Sequence, residues 1–163
     1  MQKTENLKFI LGRFDHYIDN VHSKSNLYIV LNTFLVGGFI TMLTTINLTK
    51  LNTPLIYMIL LIILLSVISL IIILSALKPH LSKTASKSII FFNDVSGQSY
   101  NEFHKNVTQM DDSDFNTDLI TQIHCISKVL SFKYHKLKLV SYFFFLQFLV
   151  IVIWTLIFIF KNN

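Results

Sequence analysis

Arg13 is the only arginine among fourteen basic residues, and its planar guanidinium offers a fork of donors suited to bidentate contact with a phosphate. Lys24, Lys128, Lys133, Lys136 and Lys138 add cations close to the ends of two long apolar runs. Anchoring to anionic lipid headgroups is the simplest use of such a cluster, and a pocket for a phosphorylated ligand is the sharper one. A second possible chemistry is metal binding. His16, Asp19 and His22 follow one another at i, i+3 and i+6, which offsets the outer two by about 240° on an ideal helix, so one helix cannot direct all three at one ion. With His124 and His135 a two-helix zinc or iron site is conceivable. Solvated or hydrogen-bonded histidines are the plainer reading, and no metal is assigned.

Other chemistry finds no support. Cys125 is the single cysteine, which excludes an internal disulfide framework and a cysteine-based zinc site. The four glycines, Gly12, Gly37, Gly38 and Gly97, fit no phosphate-loop pattern. Asp111, Asp112 and Asp114 resemble the start of a calcium loop but lack its glycine and closing glutamate, so helix capping explains them better. No acid/base pair or nucleophile triad can be picked out. The expectation is a protein that is not an enzyme and carries no cofactor.

The elements that must position these residues are set by hydropathy. Leu27–Ile46, Leu55–Leu77 and Leu139–Phe160 are apolar runs of 20, 23 and 22 residues without a charged side chain. At about 1.5 Å rise per residue, ~20 residues cross the ~30 Å hydrocarbon core of a bilayer. Twelve of the fourteen basic residues, all nine acids and all six histidines lie in residues 1–26 or 78–138. Three spans put those two segments on one side, and the positive-inside rule makes it the cytoplasm. The net charge of +5 belongs to topology and anionic lipid rather than to nucleic acid, because four acids in 111–118 interrupt the basic surface.

Apolar positions at Leu7, Ile10, Leu11, Phe14, Tyr17, Ile18 and Val21 mark an amphipathic helix running into the first span, so residues 5–46 read as one long helix or two with a small break. The glycine pair Gly37-Gly38 suggests close helix contact or a kink. Residues 47–54 form a short external connector, with Pro54 suited to the first turn of the second helix. Ser88–Val95 has β-like composition and reads as a strand or an extended piece, and Tyr100–Met110 as a short helix. From Asp114 a helix continues to residue 160, and 161–163 form an external tail. The fold class is therefore an all-α membrane protein: three transmembrane helices with a small, mainly helical cytoplasmic domain formed by the helix extensions and the 78–138 segment. Asn32 and Gln147 are the bulkiest polar groups at membrane depth, placed for interhelical hydrogen bonds or for a polar path that opens in an oligomer. No ionisable residue lies within the spans, which disfavours a proton relay or a voltage sensor.

Three stretches then carry a resemblance: Arg13-Phe-Asp15-His-Tyr-Ile18 through His22-Ser-Lys24-Ser; Phe91-Phe-Asn-Asp94-Val with Tyr100 and Phe103; and Asp118-Leu-Ile-Thr-Gln122-Ile through Lys133-Tyr134. In this order they resemble the Pycsar-type transmembrane effector family of bacterial anti-phage defence and related membrane effectors of cyclic-oligonucleotide systems. The resemblance implies an inner-membrane effector kept silent until a companion cyclase makes a cyclic nucleotide, while apolar stripes wider than one subunit can cover point to a homo-oligomer. Ligand binding in the cytoplasmic part then leads to membrane disruption and growth arrest. The family's polar signature falls on Arg13, Lys24, Gln122 and Lys133. Where the family has Asp-x-Lys-Ala before the first span, this chain has His22-Ser23-Lys24-Ser25, a departure that bears on ligand identity. The readings set against it are a holin-like or pore-forming toxin controlled by expression or an antitoxin, a non-conducting membrane scaffold, and, more distantly, a small enzyme of lipid metabolism.

Overall fold

The computed structural model describes residues 2–45, 53–78 and 88–162. Five helices follow in order: α1 (Gln2–Thr45), α2 (Thr53–Leu77), α3 (Phe92–Ser96), α4 (Tyr100–Gln109) and α5 (Asp112–Asn162). No strand occurs among the described residues, and three of the helices are long and apolar enough to cross a membrane. The protein is an all-α membrane protein. Most of the connector expected at 47–54 lies outside the described residues.

Two compact units partition the chain, one of residues 1–20 and 79–132 and the other of residues 21–78 and 133–163. The division falls inside α1 and α5, each of which is a single unbroken helix, 44 and 51 residues long. The alternative of a break near the start of the first span is thus removed for α1.

In the membrane unit a stripe of buried and half-buried positions steps alternately by three and four residues. On α1 they are Val21, Ser25, Tyr28, Asn32, Leu35 and Phe39; on α2, Leu55, Ile59, Ile62, Ser66, Ser69 and Ile73; on α5, Leu137, Val140, Phe144, Gln147, Ile151 and Trp154. That 3.5-residue period keeps one stripe of each helix facing its neighbours, the pattern of knobs-into-holes packing. At one end Leu55, Ile59 and Trp154 form a core with Phe39, Met42 and Phe158 packed around it. The Trp154 ring meets Phe39 edge-on at 6.1 Å and stacks on Phe158 at 5.2 Å. Off the stripes, Phe34, Leu60, Leu64, Phe145 and Phe148 stand exposed, which is the surface a helix offers to lipid. Gly37 and Gly38 make no close helix contact among the described residues: a Cβ at either would meet nothing within 4 Å, and Gly38 lines an open apolar groove. The glycine pair is read differently from its usual role because it lies off the buried stripe of α1.

In the polar unit Ser88–Val95, expected as a strand or an extended piece, is a short bend that leads into a helix. Residues 92–96 form α3, and the backbone before it is held by side chains rather than by a neighbouring strand. The Ile90 and Phe91 N–H groups donate to Ser88 Oγ at 3.1 and 3.0 Å, and the Ile89 N–H donates to Asp118 Oδ2 at 3.0 Å. Local capping by Ser and Asp competes with sheet pairing, and here it takes the donors a strand would need. Two further caps start the following helices. Ser99 Oγ accepts from the Glu102 N–H at the start of α4, and Asp111 Oδ1 accepts from the Asp114 N–H at 2.7 Å at the start of α5.

Candidate functional site

The polar unit is organised around Ser88. Its hydroxyl donates to Asp118 Oδ2 at 3.0 Å while its own N–H donates to Asp94 Oδ2 at 3.3 Å. Gln98 Nε2 donates to the Asp94 carbonyl at 3.0 Å, and Asn106 Nδ2 donates to Gln98 Oε1 at 2.8 Å. Asp94 and Asp118, far apart in sequence and each within one of the stretches singled out above, therefore meet on one serine. The linkage ties α3, α4 and α5 into one body. No local pattern in the sequence signals it, because Ser88 lies ahead of the N-cap of α3, Phe91, and its partner Asp118 is 30 residues away.

Gln122 lies one turn beyond Asp118 on α5. It is only 4% exposed, and its Nε2 finds no acceptor among the described residues. Asn116 Oδ1 is likewise buried without a donor. A buried amide group left without a partner costs about 1–3 kcal/mol, which marks these two atoms as places where a polar partner would be favoured. Arg13 is exposed on α1, with Nη2 donating to the Tyr17 hydroxyl at 3.1 Å. Its guanidinium carbon stands 5.6 Å from the Tyr17 ring centre, which leaves much of the fork open. No hydrogen bond joins Arg13 to Gln122 among the described residues. A groove of about 370 Å³ in this unit is lined by Ile89, Glu102, Asn106, Met110 and Asp114, and its two carboxylates oppose an anionic ligand.

Lys24 and Lys133 belong to the membrane unit. Lys24 is exposed, with Nζ 6.0 Å from the centre of the Tyr134 ring. Lys133 is 7% exposed and donates from Nζ to the Ala76 carbonyl at 2.7 Å, closing a carbonyl in the last turn of α2 that has no partner within the helix. Burial holds its ammonium below the usual lysine pKa of 10.5. Of the four residues in the polar signature, two fall in each unit, and Lys133 is already engaged by backbone.

The structure brings Asn32 and Gln147 together. Gln147 Nε2 donates to Asn32 Oδ1 at 3.2 Å and to Ser69 Oγ at 3.4 Å, and Asn32 Nδ2 donates to the Tyr28 carbonyl at 2.8 Å. All three side chains are fully buried, as is Ser66 one turn from Ser69. This layer joins all three membrane helices. Gln147 Oε1 and Ser66 Oγ have no partner among the described residues. Interhelical hydrogen bonds of this kind contribute about 0.6–2 kcal/mol in a membrane, whereas a polar group left unpaired in hydrocarbon costs several. The layer thus combines interhelical hydrogen bonds with two buried polar atoms that have no partner among the described residues. Among the described residues no three His, Cys, Asp or Glu side chains converge as a metal site would require.

Comparison with curated proteins and with solved structures gave no match. The profile of the PycTM family, described as the Pycsar effector protein domain, matches residues 6–160, a range that takes in Arg13, the Ser88 linkage, Gln122 and the Asn32–Gln147 layer. With nearly the whole length covered, the chain belongs to the Pycsar effector protein domain family.

Proposed function

We propose that this Pycsar effector senses a cyclic nucleotide through its polar unit and answers by permeabilising the inner membrane, without enzymatic chemistry of its own. Family membership supports the signalling context of anti-phage defence. The observation that carries the mechanism is the continuity of α1 and α5, which each run unbroken from the polar unit into a membrane span. A phosphate engaging the Arg13 fork and a polar group meeting Gln122 act on the same two helices that line the bundle. The ligand can shift the bundle only by binding its active arrangement more tightly than the resting one. In this reading the polar unit faces the cytoplasm, in line with the basic residues that flank the spans, and the conducting form contains several copies. The companion that makes the nucleotide is a cyclase.

The test is ion or dye leakage from liposomes carrying the purified chain, with cyclic mono- and oligonucleotides added singly. Leakage with one nucleotide, lost in Arg13→Ala, is the expected result. Leakage without any ligand points instead to a toxin governed by its expression, and silence with every nucleotide removes the gating reading.

A further inference from the structure

We infer that the layer formed by Asn32, Ser66, Ser69 and Gln147 is a water-binding site inside the bundle and the seed of the hydrated path through the membrane. The inference rests on the permeabilising function proposed above and deepens it by naming where the path begins and what enters it. Three observations carry it. The layer is the one place among the described residues where amide and hydroxyl groups from all three membrane helices are linked by side-chain hydrogen bonds. Counted along the helices from the ends that carry Leu27, Leu77 and Leu139, it lies about 8–16 Å inside the spans, beyond the reach of the headgroups. It is also incompletely paired, with Gln147 Oε1 and Ser66 Oγ both fully buried and without a partner among the described residues.

An apolar side chain at each of these positions would remove the unpaired groups and leave a cheaper resting bundle. Water reaching the layer pairs those same groups, and so favours the open arrangement over the closed one. The polar layer therefore narrows the free-energy gap that a ligand's differential affinity has to cover. A layer serving only to fix helix register would gain nothing from hydration. The side chains supply carbonyl and hydroxyl oxygens without a formal charge, a lining for water and hydrated monovalent ions rather than for a polyvalent species.

The experiment uses the full chain in liposomes. In wild type, a nucleotide that opens the protein starts a leak, and Gln147→Leu loses most of that leak while its thermal stability in detergent is kept or raised. Cys125 is the only native cysteine, so Ser66→Cys is placed in a Cys125→Ser background. A cationic methanethiosulfonate modifies it during the leak and blocks the flux, while Leu60→Cys on the lipid face stays unmodified. A Gln147→Leu protein that leaks like wild type overturns the inference. So does modification at Thr33→Cys, on the outer face of α1, with none at Ser66→Cys, because the path then runs between copies. If wild type is silent with every nucleotide, the gating reading fails and Gln147→Glu decides the layer. A constitutive leak blocked through Ser66→Cys supports it, and silence overturns it.

Discussion

Lys133 Nζ lies 2.7 Å from the Ala76 carbonyl, so a lysine on α5 closes the C-terminal turn of α2, 57 residues away in sequence. The pairing follows from two local needs. Helix α2 ends with carbonyls that its own backbone cannot satisfy, and a buried ammonium needs an acceptor. Lysine meets both because its long stem packs along the bundle while its head reaches the helix end.

Lys133→Met keeps the stem's packing and removes the donor. The loss expected is about 1.5–3 kcal/mol, the range for a hydrogen bond involving a charged group. Thermal unfolding in detergent micelles measures it. The pH dependence has a definite sign. The folded-state pKa of Lys133 is lowered, so between that value and 10.5 the unfolded chain holds more protons than the folded one. Wild-type stability relative to Lys133→Met therefore rises with pH across that window and is flat below it.

Asp118→Ala should release the start of α3. The carboxylate accepts from both Ser88 Oγ and the Ile89 N–H, and its loss leaves a half-buried turn with unpaired donors. A cost of roughly 2–3 kcal/mol is expected. Hydrogen exchange resolved by segment should show faster exchange at residues 88–98, with the membrane helices unchanged. Asp118→Asn, which retains one carbonyl oxygen, should restore part of the protection.

Trp154→Ala removes the largest side chain of the core at one end of the bundle, where it contacts Leu55 and Ile59 and stacks on Phe158. Large-to-small changes at such sites cost about 3–5 kcal/mol. Trp154→Phe keeps the aromatic contacts and eliminates an indole N–H that has no acceptor among the described residues, so its cost should be much smaller. Unfolding midpoints of the two variants side by side test the ranking.

The membrane spans were legible because hydrocarbon imposes length and hydropathy on any helix that crosses it, and the caps at Asp111 and the amphipathic start of α1 followed from local chemistry. Asn32 and Gln147 stood out for a related reason: an amide among aliphatic residues must find a partner, although which residues it finds depends on packing. Composition leaves Ser88–Val95 open between a strand and an extended piece, and the helix at residues 92–96 is neither. The segment's isoleucines and phenylalanines suit a strand, but β-propensity is decided by available neighbours, and Asp118, thirty residues on, takes the backbone donor first. The burial of Lys133 was invisible for the same reason. Nothing in Lys128–Lys138 distinguishes the one lysine that turns inward, except its place on the three-four stripe with Leu130, Leu137 and Val140.

Gln122 separates a structural role from a binding role more cleanly than any other residue in the signature. Its Nε2 is buried and finds no acceptor among the described residues, so Gln122→Leu exchanges that amide for an aliphatic group of similar volume. If the residue only fills space, the variant should be as stable as wild type or more so, with an unchanged nucleotide response in liposomes. If the amide awaits a ligand, stability should again be kept or raised while the response weakens. A bond to a neutral acceptor contributes about 0.5–1.5 kcal/mol, and one to a charged acceptor up to about 3. Those values correspond to a shift of roughly twofold to a hundredfold in the nucleotide concentration needed for leakage. Arg13→Lys is the companion measurement. It keeps the charge on an exposed helix face and loses the planar fork, so stability should not move, and a weakened response would identify bidentate contact with phosphate as the missing element.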